Sequence, residues 1–210
     1  MSILGNRVRR VEDPDLLLGR GSFLADLSEP LLEGALHLAF VRSYVAHGEL
    51  LDVDTSGAEE LPGVVAVLTA AEVDLALPRP GGAGAPAAMA RPWLATDRVR
   101  FVGEPVAIVV AETAAAAEDA AEAVFADIEP LPAVVGIDAG FSDEVLLFPD
   151  AGTNRNSRMD DGWGEGGPAP DGDPFWAGCD VVVRGTVANH RVAGVSLEGR
   201  ASAAAFDGGR

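Results

Sequence analysis

The sequence has no lysine. All 15 basic residues are arginine, set against 33 acidic ones, and the formal net charge is −18. A surface of that sign repels phosphate backbones, which argues against a nucleic-acid partner. There is one cysteine, Cys179, so an intramolecular disulfide is excluded and a reducing, cytoplasmic setting fits. No apolar run approaches the roughly 20 residues of a bilayer-spanning helix. After Arg9-Arg10, the acidic Glu12, Asp13 and Asp15 deny the N-terminus the apolar core of an export signal. Arginine without lysine, alongside abundant alanine and glycine, reads as a bias toward GC-rich codons and says little about function. A halophilic, strongly solvated surface is the less favoured reading.

What is present is a globular composition: 48% hydrophobic over 210 residues, enough for one large domain or one domain and part of another. The chain is organised around residues 99–135. Pro105 to Ala111 is a nearly unbroken β-branched run, the pattern of a strand buried on both faces. Thr113 can cap the helix that follows. That helix carries an apolar stripe at Ala114, Ala117, Ala121, Val124 and Phe125, opposite Glu118, Asp119 and Glu122. A helix of about thirteen residues spans ~20 Å, enough to cross a strand and return the chain. An extended run resumes at Asp127–Glu129, and Pro130 and Pro132 end any further helix.

Shorter elements flank this unit. Strands are predicted at 34–41, 49–53 and 64–68, a short helix at 56–61 closed by Pro62-Gly63, and a helical turn at 70–73 capped by Thr69. The alternation predicts an α/β (α+β) fold. Residues 77–93 are rich in Pro and Gly and read as a loop. Residues 140–178 read as an irregular connection with Phe175 and Trp176 as anchors. A strand is predicted from Asp180 to Val187, with 200–206 as an antiparallel neighbour.

Motifs for chemistry are few. His37, His47 and His190 lack metal-ligand spacing, and core or turn roles are favoured. Cys179 sits in loop sequence between Gly178 and Asp180, and a structural thiol is the reading. Gly19-Arg20-Gly21 lacks the strand and the Lys-Ser/Thr of a phosphate loop. There is no Gly-x-Ser-x-Gly elbow. Two places stand out. Glu104 lies directly ahead of the buried strand, where a carboxylate needs a partner. His190-Arg191 and Glu198-Gly199-Arg200 flank one bend with two arginines suited to oxyanion recognition. Arg191, Glu198 and Arg200 are the candidate cofactor-binding residues, but an Arg–Glu pair tying a hairpin together is the favoured reading. No catalytic or metal-ligating residue is nominated.

Taken in order, these pieces resemble the large subunit of the molybdenum hydroxylases, the group of xanthine dehydrogenase, aldehyde oxidase and aerobic carbon monoxide dehydrogenase. The matching segments are RVEDPDLLLGRGSFLAD at 10–26, LHLAFVRSYVAHGELLDVD at 36–54 and LPGVVAVLTAAEV at 61–73. The long run 94–139, Asn154 in a late loop, and VVVRGTVANHRVAGVSLEGRASAAAFD at 181–207 complete the series. The family's RSP-type bend is here Arg42-Ser43-Tyr44, and its Glu-Pro-Arg is Glu198-Gly199-Arg200. The resemblance implies an a/b hammerhead domain over 1–140, a linker over 141–179 and the opening strands of a molybdenum-cofactor-binding domain over 180–210. It implies a molybdopterin-type molybdenum cofactor in the complete enzyme, with none expected on this chain alone, because the family's cofactor and catalytic motifs lie beyond Arg210. The expected partners are the remaining large-subunit segment, an iron–sulfur subunit and an FAD subunit. A free-standing hammerhead module with a structural or interaction role is the alternative.

Overall fold

The computed structural model describes residues 5, 10–78, 85–156, 174–183, 185, 187, 189, 192–206 and 208. The chain forms two compact units, one of Met1–Ala35 with Gly185–Arg210 and one of Leu36–Arg184.

Among its described residues the larger unit holds six strands in two three-stranded antiparallel sheets. The strands are β1 (His37–Arg42), β2 (Gly48–Asp54), β3 (Val64–Thr69), β4 (Arg98–Val99), β5 (Pro105–Ala111) and β6 (Phe125–Pro130). One sheet has the order β1-β5-β3 and the other β4-β2-β6. The predicted strand at Pro105–Ala111 is therefore the centre of its sheet, and Ala107, Val109 and Ala111 are fully buried on its inner face. These three, with Val41, Val99, Val106 and Ile128, build the core between the sheets and the helix that covers them.

That helix spans Ala114–Ala123 and starts where predicted, with Thr113 Oγ1 accepting the Ala116 N–H at 3.1 Å. It is shorter than its stripe suggested. Val124 already has extended dihedrals, and Phe125 opens β6 and is 63% exposed. Helical and strand periodicities coincide at 124, so the apolar pattern runs on past the end of the helix. Ala117 and Ala120 are its fully buried positions, and side chains this small let the helix lie close on β1 and β5. The return strand also differs from a simple strand–helix–strand unit: β6 pairs with β2 in the other sheet rather than with β5.

The shorter elements fall close to prediction, with a helix at Ser56–Glu59. Residues 70–72 are a turn instead of a helix, because the Glu72 carboxylate accepts both the Thr69 N–H and its hydroxyl and closes the chain locally. Residues 79–84 of the Pro/Gly-rich loop lie outside the described residues, and Ala87–Met89 forms a 3-10 turn with Met89 buried. The 140–178 connection begins with order. A helix at Ile137–Ser142 leads into a segment that Asn154 holds by three hydrogen bonds: from its own N–H to Asp143, from Nδ2 to the Val145 carbonyl, and at Oδ1 from the Leu147 N–H. Trp176 and the backbone of Phe175 lie in a 3-10 turn at Pro174–Trp176.

The smaller unit contains a short helix at Asp13–Leu17 and 3-10 turns at Leu24–Asp26 and Pro30–Leu32. The strands predicted at 180–187 and 200–206 do not form among the described residues. Val181, Val183 and Val187 are instead largely exposed. β-branched residues favour a strand only where a sheet is there to pack against, and these find none.

Candidate functional site

The candidate residues fall in different places. Arg191 lies outside the described residues, as does His190. Arg200 is exposed, and it makes no ion pair among the described residues. The Arg–Glu pair considered for the bend is therefore not seen between Arg200 and Glu198.

Glu198 has another role. Within the smaller unit its Oε1 accepts the Leu24 N–H at 2.6 Å, tying two stretches 174 residues apart in sequence. The bend before it turns through Val195 at φ +40°, and the Ser196 hydroxyl donates to the Glu198 carbonyl. Glu198 and these neighbours line a cleft of about 550 Å³, together with Arg10, Asp15, Arg20 and Phe23. Arg10 is engaged by Glu12 at 3.4 Å and by Asp13 at 3.7 Å. The cleft thus combines partly neutralised arginine with carboxylate, and Glu198 spends its charge on a backbone donor.

The second place is Glu104, in the larger unit. Gly103 turns the chain at φ +88°, a conformation that suits glycine, and its N–H donates to the Ser43 carbonyl at 2.7 Å. Ser43 in turn donates its N–H to the Glu104 carbonyl at 2.8 Å. The Glu104 side chain, 3% exposed, accepts the Arg100 N–H. Burial pushes this carboxyl above its ordinary range, opposed by that hydrogen bond and by the charges of Arg100 and Arg91. The partner that the sequence required for Glu104 is thus chiefly a backbone donor.

Arg100 extends the node. Its Nε donates to the Leu147 carbonyl at 3.0 Å, its Nη1 to the Arg98 carbonyl at 2.9 Å, and its guanidinium lies 4.7 Å from the Phe148 ring centre. Sequence reading missed Arg100. The only signal was its place four residues before a carboxylate due for burial. Asp143 is opposite in character to Glu104: the Asn154 N–H and the Thr153 hydroxyl hold its pKa down, with help from the charge of Arg155.

Buried His47 completes the inventory. Its Nδ1 lies 2.8 Å from the Pro132 carbonyl and its Nε2 3.3 Å from Arg98 Nη1, a core role as expected. Among the described residues no group of three or more His, Cys, Asp or Glu is placed to hold a metal ion. Among the described residues, the Glu198 and Glu104 carboxylates each accept a backbone N–H, from Leu24 and Arg100 respectively.

Glu104 is buried ahead of the central strand of its sheet, and Asn154, a residue of the motif series, ties a late loop. The chain matches the family model for the a/b hammerhead domain of aldehyde oxidase and xanthine dehydrogenase over residues 18–132, and it belongs to that family of molybdenum hydroxylase large subunits. Among individual relatives, it is 37% identical to the nicotine 6-hydroxylase large subunit of Paenarthrobacter nicotinovorans, covering 98% of this chain and 24% of that one. It is 42% identical to the carbon monoxide dehydrogenase large chain of Afipia carboxidovorans over 63% of this chain and 16% of that one. Among solved structures, quinoline 2-oxidoreductase from Pseudomonas putida 86 superposes with a TM-score of 0.55 at 40% identity, over 69% of this chain and 18% of that one. The chain thus spans about a quarter or less of the length of these relatives.

Proposed function

We propose that this chain is the N-terminal portion of the large subunit of a molybdenum-dependent hydroxylase or dehydrogenase, and that it does not catalyse alone. The complete enzyme would oxidise an aldehyde, a purine or other N-heterocycle, or carbon monoxide. The ordered motif series across nearly the whole chain carries this reading, supported by relatives that are oxidoreductase large subunits matched over a fraction of their length. The family match at 18–132 supports a hammerhead over 1–140, with 141–179 as connection and 180–210 as the opening of a cofactor-binding domain. The partners are the remaining large-subunit segment, an iron–sulfur subunit and an FAD subunit, and the setting is cytoplasmic. Among the described residues no helix is long and apolar enough to cross a membrane.

The family's molybdenum cofactor supplies the redox centre in the complete enzymes. The described residues of this chain do not fit it. A phosphate-bearing pterin calls for arginine forks or convergent N–H donors. The cleft beside Glu198 offers instead Arg10, already paired, and Arg20, set among the carboxylates of Glu12, Asp15 and Glu198 rather than as a fork of converging donors. No chemical step is therefore assigned to residues here.

The test is metal analysis with an activity screen. The chain purified alone is expected to carry no molybdenum and to oxidise none of an aldehyde, an N-heterocycle or carbon monoxide. When it is recovered from cells that also make the remaining subunit segments, molybdenum is expected to accompany the complex. Stoichiometric molybdenum on the chain alone would overturn the reading.

A further inference from the structure

We propose that the outward face of the β1-β5-β3 sheet is the seat for the polypeptide that completes the large subunit. The inference rests on the function proposed above and adds the surface at which the two parts meet.

The face is built from two cross-strand rows. Register places Leu38, Val110 and Ala66 in one row and Phe40, Ile108 and Leu68 in the next. All six are apolar. Leu38 is 59% and Phe40 45% exposed, and the other four are partly exposed. The inner face, with Ala39, Val41, Ala107 and Val109, is buried in the core. A sheet with one solvated face alternates apolar and polar residues along its strands. Here β5 reads Val-Ala-Ile-Val-Val-Ala and offers no polar side chain to water at all. That sequence is written for cover on both sides, and over these two rows the larger unit supplies full cover on one. Val106, the next outward position along β5, is already fully buried, so the open area is confined to the two rows.

Charge selects the occupant. Two copies of a chain carrying −18 repel each other, and Arg42 at the end of β1 is committed to the Gly103 carbonyl at 3.0 Å and lies 5.1 Å from the Phe40 ring. A second copy and an anionic membrane are both disfavoured. An apolar polypeptide surface fits, and about three quarters of the nicotine 6-hydroxylase large subunit lies outside the match with this chain. The completing segment is thus the occupant the observations favour.

The test pairs the full chain, co-expressed and tagged, with the unmatched remainder of the nicotine 6-hydroxylase large subunit as the probe. Wild type is expected to co-purify with the probe. The double variant Leu38→Ser with Phe40→Ser is expected to lower recovery at least tenfold while the chain alone unfolds at an unchanged denaturant midpoint. Phe125→Ser, exposed on the other sheet, is the control and is expected to leave recovery unchanged. Equal recovery of the double variant overturns the docking face while leaving the functional reading intact. A wild-type chain that never pairs overturns both. A wild-type dimer in light scattering that the double variant converts to monomer would show that a second copy covers the face instead.

Discussion

The two sheets of the larger unit share size and antiparallel pairing but meet their surroundings in opposite ways. On β2 and β6 the outward positions include Glu49, Asp52, Asp127 and Glu129, with Leu51 and Phe125 the exposed apolar exceptions, and the inward ones include Ala126 and Ile128. That sheet has the alternation of a surface made for water. It also carries a cost, since register sets Glu49 against Glu129 and Asp52 against Asp127, like charges directly opposed. Arg98, 3.5 Å from Glu49, offsets part of it. The β1-β5-β3 sheet has no such repulsion and no polar outer face. One sheet is finished largely by solvent, and the other is left apolar over two cross-strand rows that its unit covers only in part.

The largest test of this contrast uses two neighbours on β5. Val109 is fully buried and Val110 faces outward. Val109→Asp places an unpaired charge in the core and is expected to cost about 4 kcal/mol or more. Val110→Asp is expected to cost within about 1 kcal/mol in the chain alone. Denaturant unfolding of both variants checks the pair, and equal losses would erase the distinction between the two faces.

Next comes Gly48, at the start of β2. A Cβ there meets Ile128 Cγ2 at 2.5 Å and the Glu129 carbonyl oxygen at 2.8 Å. Gly48→Ala is therefore expected to destabilise by about 2 kcal/mol, read as a drop in thermal midpoint. An unchanged midpoint would mean that the solvated sheet yields more readily than its packing suggests.

The pH dependence sharpens the comparison at single carboxyls. Glu104 has its pKa raised from an ordinary 4.5 by burial, so the folded state holds the proton more tightly than the unfolded chain. Its contribution to stability is full below 4.5 and is lost as pH rises through the folded value. Glu104→Gln is expected to flatten that decline in a series of denaturant midpoints. Asp143, lowered from 3.8 by the Asn154 N–H, has the opposite sign: its contribution is present above 3.8 and is lost as pH falls through the folded value. Asp143→Asn is expected to remove that acid-side loss.

The smallest effect is a gain. Glu129→Arg replaces the repulsion with Glu49 by attraction and is expected to stabilise by about 0.5 kcal/mol at low salt. The gain should fade as salt is added, and a gain that survives high salt would point to packing instead.

Most of the fold was legible because its signals are local. The β-branched run of β5, the Thr113 cap and the turn at Pro62-Gly63 each act within a few residues. The sheet assignment of β6 was not, since periodicity reports which face is buried and not which strand lies alongside. The site was less legible still. Glu104 announced itself as a carboxylate ahead of an apolar strand. By contrast, the Leu24–Glu198 bond spans 174 residues and leaves no pattern in either segment. The runs at 181–183 and 187 carried strand propensity without a sheet to express it.

The Arg100 node has a practical corollary in protease accessibility. Because the chain contains no lysine, trypsin can cut it only after arginine. Arg100 is held at Leu147, Arg98 and Phe148, and Arg98 reaches His47 and Glu49, so both bonds need local opening before cleavage. Exposed Arg200, which makes no ion pair among the described residues, carries no such protection. Limited digestion therefore yields a clock: early cuts at exposed arginines mark time, and the first cuts after 98 and 100 record how often the hammerhead core breathes.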